Sequence, residues 1–129
     1  MTNFLRHWWP TLLTLAVVLY ATLASDPAGA ETVMLFEGAD KLIHAIMMGG
    51  LDSAVLFDRR RSGHRLTRNF KWGVAIACIV FSAFDEIAQQ TMGLGRSLDI
   101  YDFVADVIGI IIASYAAPPV INHIFRNRP

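Results

Sequence analysis

Four long apolar stretches, three of them carrying ionisable side chains, constrain this chain more than any other feature. They fall at residues 8–25, 41–57, 72–91 and 99–119, each near the roughly 20 residues an α-helix needs to cross a bilayer. The first has no charged residue. The second carries Lys41, His44 and Asp52, the third Asp85 and Glu86, and the fourth Asp99, Asp102 and Asp106. The fourth is expected to end at Pro118-Pro119. The runs are continuous and lack the period-two alternation of barrel strands. With 54% hydrophobic residues and a mean hydropathy of +0.43, the chain is too apolar for an ordinary polar surface. The expected fold is therefore all-α: a four-transmembrane-helix bundle, up-down and antiparallel, in a single domain of residues 1–129.

Short connections make consecutive helices antiparallel. Asp26-Pro27 and Gly29 are expected to close the first helix, and Gly93-Leu94-Gly95 to form the last turn. Lys and Arg placement then sets the orientation. Nine of these residues (Arg6, Arg59, Arg60, Arg61, Arg65, Arg68, Lys71, Arg126, Arg128) gather at one end, against Lys41 and Arg96 at the other. By the positive-inside rule both termini face the cytoplasm. That role accounts for the arginine-rich loop, so no nucleic-acid partner is expected, and no obligatory protein partner is evident. Ala28-Gly29-Ala30 after the first apolar stretch looks like a signal-peptide cleavage site. An uncleaved first helix is the preferred reading, because three helices shield polar groups at bilayer depth poorly. Cys78, the single cysteine, lies in an apolar run and reads as a buried, inert thiol.

Ionisable groups inside membrane helices cost roughly 2.5–3.5 kcal/mol each at a central position, so their arrangement carries information. Asp40, His44 and Asp52 project from one side of the second helix, with Lys41 beside them. Ser82, Glu86 and Gln89 share a face of the third. On the fourth, Asp99, Asp102 and Asp106 form an acidic stripe that runs into Gly109 and Ala113, small residues that allow close packing. Topology brings all but Asp52 to the extracytoplasmic end. Separately, each has a bland explanation: Asp99 as an N-cap, Lys41 and Arg96 as interfacial anchors, His44 as a structural histidine, Asp85 at an exposed helix edge with Glu86 as the inward member. Together they put polar groups at one depth on three helices, which structural need alone rarely requires.

This pattern resembles the VanZ-like family of bacterial membrane proteins. The resemblance lies in Asp40-Lys41-x-x-His44, Glu86-x-x-Gln89, Arg96-Ser97-x-Asp99-x-x-Asp102 and Asp106-x-x-Gly109, and covers roughly residues 40–113. Asp106 stands where the family usually has asparagine, and Asp85 where an apolar residue is more common. The resemblance implies a multi-pass protein of the bacterial cytoplasmic (inner) membrane, linked to low-level teicoplanin resistance. The layout is also similar to a wider group of four-helix membrane proteins proposed to act on lipid headgroups.

The chemistry expected of such a site concerns a phosphate-bearing envelope lipid or lipid-linked precursor. Lys41 and Arg96 would hold phosphate oxygens, with Gln89 and Ser97 as further binding groups. His44 suits proton transfer, with Glu86, Asp99 and Asp102 beside it in the catalytic set. Asp99, Asp102 and Asp106 could hold a divalent cation, Mg²⁺ or Ca²⁺ by their oxygen ligands. The corresponding activity would be hydrolysis or transfer at a headgroup phosphodiester or pyrophosphate. A noncatalytic lipid or amphiphile binder would need the cations but not His44. A proton-coupled transporter would need polar groups running on toward the cytoplasm, where only Asp52 lies.

Overall fold

A computed structural model describes residues 2–23, 38–91 and 100–127. The described residues form four α-helices and no strand: α1 (Thr2–Leu23), α2 (Ala39–Arg61), α3 (Arg68–Thr91) and α4 (Ile100–Ile124). Each is longer than its apolar run, because the helices extend through their charged ends. The arginines closing α2 sit favourably at the negative pole of the helix dipole. The α2–α3 connection turns at Gly63, whose φ of +87° favours a residue without a Cβ. The Asp26–Gly29 and Gly93–Gly95 signals lie outside the described residues.

One expectation needs correction. Pro118-Pro119 does not end α4, which continues to Ile124. Pro118 is buried, and tertiary packing of this kind lets a membrane-type helix carry prolines that would stop a solvated one.

Contacts between distant residues fix the helix directions. His44 meets Asp106 and Asp52 meets Ser114, two pairs with the same separation of 62 residues, so α2 and α4 run parallel in constant register. Between these pairs the backbones cross closely. A Cβ added at Gly49 would lie 2.8 Å from the carbonyl oxygen of Gly109. Ser82 on α3 meets Asp106 while Glu86 lies near His44, so α3 runs opposite to α2 and α4. Helix α1 runs beside α3, since Thr22 near its end reaches Asp85 near the end of α3. The described helices therefore alternate up and down, with the start of α1 and the end of α4 at the α2 C-terminal end.

That end is held by arginine over aromatic rings. Consecutive residues Arg59, Arg60 and Arg61 point in different directions around α2. They lie over Phe70 of α3 (4.6 Å), Phe125 just past α4 (6.0 Å) and Trp9 of α1 (5.9 Å). Beside them Pro10 lies within α1, and Asp58 Oδ2 accepts from both the N–H and the hydroxyl of Thr11, at 2.9 and 2.7 Å. Asp58 is fully buried. Asp58→Ala should therefore strand two donors and lower stability by about 1–3 kcal/mol. Thermal unfolding in detergent measures this; an unchanged midpoint would mean the clasp contributes nothing.

The distribution of polarity is inverted relative to a water-soluble bundle. His44, Asp52, Asp85, Glu86, Gln89 and Asp106 are buried, whereas Phe84, Ile112 and Tyr115 are 67%, 61% and 70% exposed. An apolar cluster that includes Val18, Leu56, Cys78 and Ile110 fills the interior, and Cys78 is buried as expected. Among the described residues, α4 alone is long and apolar enough to cross a membrane by length and composition. The other helices carry their ionisable groups on inward or terminal positions, which lowers their mean hydropathy without making their outer faces polar.

Candidate functional site

At the end opposite the arginines, three helices converge on the imidazole of His44. Asp102 and Asp106 stand one turn apart on α4, and the ring fits between them. Its Nε2 is 3.7 Å from Asp102 Oδ2, and its Nδ1 is 3.2 Å from Asp106 Oδ1. From α3, Glu86 brings Oε1 to 3.8 Å from Nδ1. Every ring nitrogen therefore faces a carboxylate.

The surrounding partners fix these groups. The Ser82 hydroxyl donates to Asp106 Oδ2 at 2.5 Å, leaving Oδ1 for His44. Lys41 lies at the mouth, 3.2 Å from Asp40 and 3.4 Å from Asp102. It links the α2 N-terminus to α4 above the ring. Glu86 Oε1 is buried with no hydrogen-bond partner among the described residues, although it points toward the ring. A buried carboxylate oxygen in that position is costly unless a proton, a cation or a ligand donor meets it.

The small residues below the ring explain how the cluster closes. A Cβ on Gly109 would run into the backbone of Ala45, lying 2.7 Å from its Cα. Glycine lets α4 approach α2 closely next to His44, and Asp106 reaches Nδ1 from less than one turn away.

Most sequence-expected groups lie together. His44, Glu86, Asp102 and Lys41 are in one cluster with Asp106. Gln89 is buried but donates to Asp85 Oδ2 at 3.1 Å rather than to the histidine cluster. Arg96, Ser97 and Asp99 lie outside the described residues. Asp85 is not at an exposed edge. It is 7% exposed and accepts a hydrogen bond at 2.9 Å from Thr22 of α1, whose backbone position is set inside the bundle. Thr22 was not among the expected polar groups, and Ser82 was placed on the polar face of the third helix without a role in the site. Ser82 shares the Glu86 face one turn earlier, a spacing that marks it; Thr22 carries no local signal.

For a cation, His44, Glu86 and Asp106 each offer one ligand atom within 4.8 Å of the others. One imidazole with two carboxylates suits Zn²⁺ or Mn²⁺, whereas an all-oxygen set would suit Mg²⁺ or Ca²⁺.

These features define a class: a small helical bundle with an apolar exterior and a buried histidine–carboxylate cluster near one end. Within that class the chain belongs to the VanZ/LLP1 family, whose model matches residues 3–122. The match takes in α1, beyond the motifs of residues 40–113. No curated protein and no solved structure matches the chain.

Proposed function

We propose that this protein is a single-domain, four-span protein of the bacterial cytoplasmic membrane, with both termini cytoplasmic. In this reading it acts on a phosphate-containing envelope lipid or lipid-linked precursor in the outer leaflet, and through it affects susceptibility to glycopeptide antibiotics. The membership in the VanZ/LLP1 family supports the membrane and glycopeptide parts. The exposed apolar side chains on all four helices support spanning by α1, α2 and α3 as well as by α4, which alone qualifies by length and composition among the described residues. The lopsided Lys and Arg distribution supports the orientation.

The observation that carries the chemistry is the His44 ring held between Asp102 and Asp106 inside an apolar-faced bundle. An imidazole fixed in this way is oriented for proton transfer, as a carboxylate orients a catalytic histidine generally. His44 would accept the proton of an attacking hydroxyl as its oxygen bonds to phosphorus. It would return that proton to the departing oxygen as the old P–O bond breaks. Lys41 and Arg96 would neutralise the phosphate.

The test is lipid mass spectrometry on the purified protein incubated with bacterial lipid extract, with and without divalent cations, beside His44→Ala. Headgroup loss or exchange is expected, falling by about 10²–10⁴-fold in the variant. Lipid that co-purifies but is never converted would refute turnover and leave a binding protein.

A further inference from the structure

The opposite end of the bundle holds a second concave feature that this chemistry does not use. A cleft of about 570 Å³ opens between the end of α2, the α2–α3 connection and the end of α4. Arg60, Arg65, Pro119, Asn122, His123 and Arg126 line it. Its polar lining offers three guanidiniums, an amide and an imidazole, and no carboxylate. The ion pairs among the described residues all gather around Lys41 and His44, so none neutralises these arginines.

The positive-inside rule explains why this end is cationic. It does not explain why charges from three separate segments converge on one concavity. Nor does it explain why Arg60 is placed over the Phe125 ring at 6.0 Å instead of extending into solvent. Convergent guanidiniums, one of them laid over an aromatic ring and none with an anionic partner among the described residues, form the usual recognition arrangement for phosphate oxygens. The source of the phosphate is indicated by the flank of α4. Val120 and Ile124, within one turn of the cleft residues on that helix, are 60% and 50% exposed. A lipid could seat its headgroup in the cleft and lay its chains along this face. A free phosphate would have no use for it.

We infer that this cleft is a binding site for the phosphate headgroup of an anionic lipid, in the leaflet opposite the His44 site. The leaflet is the cytoplasmic one, which rests on the orientation proposed above. Basic pockets at that face of membrane bundles have the charge and depth to select such lipids from the bulk. The site would anchor and orient the bundle without taking part in turnover at His44.

The experiment uses the full chain reconstituted in phosphatidylcholine vesicles doped with phosphatidylglycerol. Native mass spectrometry then counts the phosphatidylglycerol retained per protein. The combined Arg60→Gln, Arg65→Gln and Arg126→Gln variant is compared with a charge-matched control, Arg6→Gln, Arg68→Gln and Lys71→Gln, at the same end but off the cleft. Retention should fall by about tenfold more in the cleft variant than in the control. Arg65→Gln and Arg126→Gln singly, both at exposed positions, should each lower it by about threefold, which keeps the test valid if the triple variant misfolds. Equal losses in cleft and control variants would reduce the site to diffuse attraction and overturn it, as would no loss at all. Inorganic phosphate retained as tightly as phosphatidylglycerol would overturn the assignment to lipid. A His64→Cys variant labelled by an impermeant maleimide reports the sidedness separately. Labelling from the outside would overturn the proposed orientation while leaving headgroup binding to be judged by the mass spectra.

Discussion

Alanine in place of Gly109 is expected to force α2 and α4 apart and to destabilise the bundle by about 1–3 kcal/mol, with Gly109→Leu worse still. The added Cβ would lie 2.7 Å from both the Cα and the carbonyl carbon of Ala45, and closer to its oxygen. The obstacle is helix backbone, which cannot rotate away as a side chain would. The loss should exceed the roughly 1 kcal/mol that alanine normally gains over glycine in a helix. Gly50→Ala and Gly73→Ala are the controls. Nothing lies within 4 Å of a Cβ at either position, so both should leave stability unchanged or raise it slightly. Thermal unfolding of the four proteins in one detergent measures the difference. The functional effect should be larger than the thermal one. Gly109 is less than one turn from Asp106, and a shift of α4 by a few tenths of an ångström lengthens the 3.2 Å contact to His44. Lipid conversion should then fall while the helices remain. Equal midpoints for Gly109→Ala and Gly50→Ala would refute the close crossing.

The same crossing shows how far residues alone could be read. Spacing along α4 placed Asp102, Asp106 and Gly109 on one face, and a helix can present them only to a neighbour that approaches closely there. The partner at that face was His44, because both lie at the same end once the connections are short. Legible features were thus those with a helical period or a topological consequence. Asp85 could be read either as an exposed helix edge or as part of the polar group, for a physical reason. Its burial depends on Thr22, 63 residues away, and threonine in an apolar helix announces nothing about its partner. The end of α4 was misplaced because proline's local effect was set against packing that only the folded bundle supplies. The pairing of Thr11 with Asp58, and of Asp52 with Ser114, follows from registers between helices. Such registers are decided by the fit of whole faces and leave no mark in either segment. The arginine triplet was read as topology alone; its three aromatic partners lie on α1, on α3 and just past α4.

Asp106 separates structure from chemistry most sharply, because two substitutions there should differ widely in their cost to folding. Asp106→Leu removes the acceptor of the Ser82 hydroxyl and the partner of His44 Nδ1 in a site 2% exposed. Leaving a buried imidazole and hydroxyl unmatched should cost about 3–5 kcal/mol. Asp106→Asn, which restores the residue more usual in the VanZ-like pattern, keeps the shape. Its carbonyl can still accept from Ser82, and its amide then faces Nδ1. The stability change should stay within about 1 kcal/mol. The chemistry should nevertheless move, because an amide donates where the carboxylate accepted. His44 must then accept at Nδ1 and carry its proton at Nε2, toward Asp102. Imidazole nitrogen NMR reads this directly as an unprotonated Nδ1 in the Asp106→Asn protein. If His44 transfers the proton during turnover, Asp106→Asn should alter the rate and its pH profile at nearly unchanged stability. If His44 is structural, the ring resonances would move while lipid retention stays the same. Equal destabilisation by asparagine and leucine would show instead that the negative charge, not the hydrogen-bond geometry, holds the three helices together.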